Sequence, residues 1–317
     1  MPNSLEPGQQ TLCDPLGIAV KMFRLVMVSF LLLNFAAQVL CQRTGDTRGG
    51  QTDPSDNPQL LEQGLATKLV NGPDTTREIS VVTYNIRWRT GAELEQIASW
   101  IKRRGASLIA LQEVDRSKPR TGNKNNARAL AESTGMYYAW AAPPSRPGSL
   151  EEETGVEILS PYPLSDVTRL VLPHKGPGGR SRVALGATIA FRKTKIRVYA
   201  VHSETRIPVA DKLDQFRAVL DDLARQPKTM PAIVMGDFNS WEPDAVSGVR
   251  KLFSEQQFAT PFPDGETTFS RSAVLFDVKL KLDWIWLRGF TAKDHGIDRS
   301  VSVSDHFPLW TVVSEER

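Results

Sequence analysis

The stretch AIVMGDFNSW, Ala232 to Trp241, runs four apolar residues and a glycine straight into Asp237, with Asn239 two positions on. Side chains alternate across a strand, so Asp237 and Asn239 are predicted to point one way and Phe238 the other. Asp and Asn also form turns, and a turn accounts for this segment taken by itself. The same event recurs along the chain, however. VVTYNIRW puts Asn85 after a largely apolar run, and LIALQEVD puts Gln112 and Glu113 after Leu108–Leu111. VYAVHSETR puts His202 after Val198–Val201. KLDWIW opens an apolar strand with Asp283, and VSVSDHFPLW sets Ser304, Asp305 and His306 just before another. Strand ends cluster in space in layered α/β proteins, so these groups are expected to converge on one pocket.

Working outward, the pattern predicts strands over Ile79–Trp88, Ser107–Val114, Val156–Ser160, Val183–Phe191, Ile196–His202, Ala232–Phe238, Leu282–Leu287 and Phe307–Val313. Helices are predicted over Ala92–Arg104, Asn125–Ser133 and Val209–Arg225, with Gly135 as a C-cap. Strands and helices interleave, but several strands follow one another directly. That favours a mixed sheet, or two sheets with helices outside, over a parallel barrel.

The first 76 residues differ from the rest. Lys21 and Arg24 precede an apolar run from Leu25 to Leu33, and Ala36, Ala37 and Cys41 are small residues of the kind a signal peptidase accepts. Residues 1–41 therefore read as an N-terminal extension with a secretory signal, Met22 being the more natural start; a retained membrane anchor is the alternative. Residues 42–76 are polar and read as a disordered linker, and residues 77–317 as the folded domain. The expected location is secreted or in the cell envelope.

The chain of 317 residues is 40% hydrophobic and 24% charged, with a formal net charge of +3. That charge is too slight to name a nucleic-acid partner and leaves one open. Cys13 and Cys41 both precede the domain, so it has no cysteine-based metal site or disulfide. Glu113, Asp237 and Asp305 offer hard oxygen ligands, with Asn85 and Asn239 as neutral ones. That set favours Mg²⁺ or Mn²⁺ over Zn²⁺. With His202 and His306 as acid, base or phosphate donors, it suits hydrolysis of a phosphoester.

In this order, TYNIRW, LQEVD, VHSE, GDFN, LDWI and SDHFP resemble the motifs of the endonuclease/exonuclease/phosphatase, or DNase I-like, superfamily. The resemblance covers about Glu78 to Val313. It implies an α/β fold, a four-layer sandwich of two packed mixed β-sheets flanked by helices. It also implies Mg²⁺-dependent cleavage of phosphoester bonds, with Mn²⁺ as the other cation. Glu113 would be the principal metal ligand, with Asn85 and Asp305 contributing. His306 would be oriented by Asp283. Asp237 would orient or deprotonate the attacking water or hold a second metal, and Asn239 would bind phosphate oxygens. His202 would stabilise charge on the scissile phosphate or protonate the leaving oxygen. The expected substrate is a phosphodiester such as DNA or RNA, the alternative being a membrane lipid or inositol phosphate. A monomer without an obligate protein partner is expected.

Three features depart from the family pattern. His202-Ser203-Glu204 replaces His-Leu followed by Asp or His, and Glu204 reads as a rim carboxylate. Val156 stands where many relatives have Asn. The segment between Gly135 and Thr154 is too short for the DNA-gripping insertions of some repair nucleases. The basic loops Arg120–Arg128 and His174–Arg182 read equally as substrate contacts or as solvated loops. His174 and His295 read as surface residues, and Trp284 and Trp286 as core.

Overall fold

The computed structural model describes residues 60–70, 78–145, 153–272 and 276–316. The signal-like segment and both cysteines lie outside them. In chain order the first half contains β1 (Leu61–Leu65), β2 (Glu78–Asn85), α1 (Gly91–Arg104), β3 (Leu108–Asp115), α2 (Asn126–Thr134), β4 (Tyr137–Ala141), β5 (Thr154–Ser160) and β6 (Leu164–Gly176). There follow β7 (Arg180–Phe191), β8 (Thr194–His202), α3 (Val209–Leu223), β9 (Ala232–Asp237), α4 (Pro243–Glu255), β10 (Phe269–Ser272), β11 (Asp277–Leu280), β12 (Asp283–Arg288), β13 (Phe290–Ile297) and β14 (Leu309–Glu315).

A seven-stranded sheet runs β1-β4-β5-β3-β2-β14-β13, and a five-stranded sheet runs β12-β9-β8-β7-β6. Both are mixed. β2 pairs parallel with β3, and β8 with β9, while the remaining pairs are antiparallel. Each parallel pair is joined through a helix, α1 or α3, as parallel neighbours require.

Three apolar clusters account for the layering. Ile79, Val81, Leu108 and Ala110 of the larger sheet meet Ala187, Val198, Ile233 and Ile285 of the smaller one. The opposite face of the larger sheet, with Val82, Ile109 and Leu111, packs on Leu94, Ile97 and Ile101 of α1 and Leu130 of α2. The opposite face of the smaller sheet, with Tyr199, Val234, Trp284 and Trp286, packs on Phe216 and Leu220 of α3 and Phe253 of α4. Helix, sheet, sheet, helix is the four-layer α/β sandwich that the family resemblance implies. Both tryptophans are core residues, stacked with centroids 5.4 Å apart. Gly135 ends α2 with φ 72° and donates its N–H to Ala131 O at 2.8 Å.

Two boundaries need correction. The composition puts Leu61–Leu65 inside the linker of residues 42–76, but it is edge strand β1. Its register with β4 runs from Leu61 opposite Ala141 to Leu65 opposite Tyr137. Backbone pairing supplies what the composition lacks. Glu62 adds contacts to Arg116, Asn125 and Tyr138, so the domain starts no later than Leu60. The strand predicted to reach Trp88 stops at Asn85. Arg87 and Trp88 have φ of 46° and 54°, and the Arg87 N–H turns back onto Asn85 Oδ1 at 3.0 Å.

Candidate active site

Several strands present at one edge a polar residue that completes a row of core residues. On β2, Ile79 and Val81 face the other sheet, and Asn85 continues their row. On β8, Ile196, Val198 and Ala200 lead to His202; on β9, Ile233 and Met235 lead to Asp237. On antiparallel β12, Asp283 precedes Ile285 and Leu287. Register then fixes the neighbours: His202 lies opposite Asp237, and Asp237 opposite Asp283. A Cβ on Gly236 would lie 1.9 Å from Val201 O, so only glycine lets β8 and β9 approach this closely beside the site.

Two site residues do not follow strand alternation. The β3–β5 register shifts between Gln112 and Val114, and Glu113 is the bulged residue, with φ 57°. A bulge re-aims a side chain, and here it brings the carboxylate of Glu113 beside Asn85. Asn239 lies beyond the end of β9 with φ 47°, so the shared-face argument for Asp237 and Asn239 fails. They meet instead through a turn, in which the Asn239 N–H donates to Asp237 Oδ1 at 3.0 Å. The Asn239 amide donates to Ser203 O at 3.1 Å, and the buried Lys212 ammonium donates to Asn239 O at 2.6 Å.

The groups converge tightly. Asn85 Nδ2 donates to Asp237 Oδ2 at 3.0 Å and lies 3.4 Å from Glu113 Oε1. His202 Nε2 is 3.6 Å from Asp237 Oδ2 and 4.0 Å from Glu113 Oε1. His306 Nδ1 bonds Asp283 Oδ2 at 2.8 Å, and its Nε2 is 3.8 Å from Asp237 Oδ2. Burial pushes the Asp237 carboxyl up from the usual carboxylate range; His306 and the Asn85 hydrogen bond pull against that, and Asp283 reinforces it. Burial lowers the His306 imidazole, but Asp283 first and then Asp237 outweigh it and push it up to about 10. Burial, then Arg182, Arg180 and His306, hold His202 well below the ordinary histidine value.

Other sequence expectations fare differently. Asp305 stands beside the cluster with its carboxylate 3.1 Å from the Arg87 guanidinium. Glu204 is not at the rim. It is fully buried, accepting from Arg180 at 2.8 Å and Arg182 at 3.2 Å and from the N–H groups of Thr205 and Arg206. Burial raises its carboxyl, but Arg182 and Arg180 bring it to about 2. The sequence reading missed Arg182 and Lys212 as parts of the site. The basic loop ending at Arg182 was the one signal for the former; a lysine on a helix gives none. His174 pairs with Asp214, and His295 is exposed.

The sequence model of the Endonuclease/Exonuclease/phosphatase family matches residues 82–306. The chain belongs to this family. Members hydrolyse phosphoester bonds, and the cluster above lies within the matched residues. The crystal structure of an endonuclease/exonuclease/phosphatase from Beutenbergia cavernae DSM 12333 is similar with TM-score 0.60 and 19% identity, over 76% of this chain and 72% of that one. D. rerio TDP2 complexed with single-strand DNA product is similar with TM-score 0.58 and 15% identity, over 75% and 99% of the two chains. ANGEL2, a 2',3'-cyclic phosphatase in complex with adenosine-2',3'-vanadate, gives 0.58 and 17%, over 81% and 99%. A search of curated proteins finds no match. These likenesses establish the family's fold.

The family's divalent cation fits the residues present. Glu113 Oε1 and Asp237 Oδ2 converge on the Asn85 amide at 3.4 Å and 3.0 Å, so two carboxylates and an amide from both sheets gather hard oxygen atoms at one point. Glu113 is the most open of the carboxylates, its side chain 23% exposed. A surplus of carboxylate oxygens with no thiolate is a hard-cation environment.

Proposed function

We propose that the protein is a Mg²⁺-dependent phosphodiesterase, Mn²⁺ being the alternative cation, and that its substrate is a nucleic acid. The observation that carries this reading is the convergence of Asn85 and Glu113 from one sheet with His202, Asp237, Asp283 and His306 from the other. Glu113 with Asn85 beside it, together with Asp305, would hold the cation, which when bound would supply neutralisation of phosphoryl charge.

The protein groups divide the remaining work. Asp237 takes a proton from the attacking water. Its carboxyl, raised by burial, is a better base near neutral pH than an ordinary aspartate. Asp283 holds His306 protonated, and the free Nε2–H of that ring faces the negative oxygens of the phosphate. His202 and Asn239 sit beside Asp237 as further donors. The substrate class draws support from the DNA and adenosine ligands of the two similar structures. The signal-like segment at residues 1–41 supports action outside the cytosol.

The test is an assay of purified protein with Mg²⁺, Mn²⁺ or EDTA against plasmid DNA, RNA, sphingomyelin and a soluble diester. Cation-dependent cleavage of DNA or RNA is expected. Cleavage of sphingomyelin alone would replace nucleic acid by lipid, and cleavage in EDTA would remove the cation from the account.

A further inference from the structure

Arg182 is nearly buried between a buried carboxylate and a buried imidazole. Its Nε donates to Glu204 Oε2 at 3.2 Å, and its Nη1 lies 3.3 Å from His202 Nδ1. Glu204 is itself fixed by Arg180 and by two backbone N–H groups, while its own N–H donates to Gln215 at 2.8 Å. The chain at Gly176 passes so close that a Cβ there would lie 2.5 Å from the Glu204 carboxyl carbon. The guanidinium therefore has a defined place.

A guanidinium has five N–H donors and no acceptor. His202 Nδ1 must then be the acceptor in this contact, and a neutral ring carries its proton on Nε2. That atom is the one 3.6 Å from Asp237 Oδ2 and 4.0 Å from Glu113 Oε1. A proton on Nδ1 would point at the guanidinium N–H, so the geometry sets which ring nitrogen accepts.

We infer that Arg182, held by Glu204, is a positioning residue that fixes the His202 ring with Nδ1 as acceptor and the Nε2–H aimed into the site. Of the two roles the sequence leaves open for His202, this selects one. His202 donates a hydrogen bond to a phosphoryl oxygen and keeps its proton; it does not protonate the leaving oxygen. The lock stands on geometry alone, whereas the donor role rests on the phosphodiesterase reading above.

The test is nitrogen NMR of the histidine rings in the cation-free full chain near neutral pH, with His202 assigned by the signals lost in His202→Gln. Nδ1 is expected as an unprotonated imine nitrogen and Nε2 as a protonated one. The reverse pattern, or two protonated nitrogens, overturns the inference in the unaltered protein, where folding is not in question. Arg182→Met is expected to give mixed tautomers, and Arg182→Lys, which keeps a donor, to restore the bias; an unchanged ring in Arg182→Met removes Arg182 from the role. On a phosphodiester, Arg182→Met should lower kcat by roughly 10- to 100-fold, the scale of losing a residue that orients a functional histidine, with KM nearly unchanged. A change confined to KM would make Arg182 a substrate contact instead. Glu204→Gln, which keeps the shape beside Arg182, should show a smaller loss in the same direction, and no loss overturns its share. The ring signals are read without turnover. A protein with the expected tautomer and no phosphodiesterase activity would therefore contradict only the functional reading.

Discussion

Asn85 and Asp237, 152 positions apart and on different sheets, are joined by a hydrogen bond of 3.0 Å from Nδ2 to Oδ2. That bond favours the ionised carboxylate against the burial that opposes it. Removing the donor in Asn85→Ala should raise the Asp237 carboxyl further. If Asp237 is the base it acts only when ionised, so the acid limb of kcat/KM should move to higher pH, by about one pH unit or more for a lost bond to a charged group. An acid limb at the same pH in both proteins would mean that Asp237 is not the group it reports.

The cation should leave a mark on stability that needs no substrate. Glu113 and Asp237 crowd carboxylates into the site, and a ligand that binds only the folded protein raises its melting temperature. Mg²⁺ is expected to raise the melting temperature of the EDTA-treated protein and to have little effect on Glu113→Gln. Equal shifts in the two proteins would place the cation elsewhere.

Phe238 should behave oppositely to its neighbour Asp237. It is fully buried, with its ring stacked on Phe216 at 4.5 Å between centroids and a second contact to Phe253 at 5.7 Å. Phe238→Ala should cost roughly 3–5 kcal/mol in denaturant unfolding, the range of aromatic core truncations. A cost under about 1 kcal/mol would mean the site is not seated on this cluster.

Glu204 gives a prediction at acid pH. Its carboxyl sits at about 2 in the folded protein against an ordinary 4.5. A lowered carboxyl stabilises fully above its unfolded value, and that contribution fades as pH falls from about 4.5 towards about 2. The loss across that window is on the order of 3 kcal/mol. Glu204→Gln should flatten this part of the stability profile, measured by denaturant unfolding at several pH values. Parallel profiles for the two proteins would contradict the buried Arg180–Glu204–Arg182 cluster.

The parts of the fold legible in the sequence are those where burial is complete. β9 and most of β8 and β12 are buried apolar runs that end on their site residues, so their positions and polar ends can be read directly. β6 and β13 are edge strands with half-exposed faces, and β1 is short and surrounded by polar sequence; none carries a strong alternation. The site shows the same division. Which residues converge follows from strand ends, but how Glu113 and Asn239 reach the cluster does not. Both adopt left-handed backbone conformations that no periodicity announces. Glu204 reads as a rim residue for a related reason: a carboxylate after a strand looks solvated until its arginine partners, more than twenty positions away, are seen.

The most direct measurement of the central claim is steady-state turnover of a phosphodiester with Mg²⁺ by the unaltered protein and by Asp237→Asn, each shown to be folded by its melt. If Asp237 is the base at a site assembled by both sheets, turnover should fall by about 10²-fold or more while the melting temperature changes little. Turnover in Asp237→Asn equal to that of the unaltered protein would contradict the account.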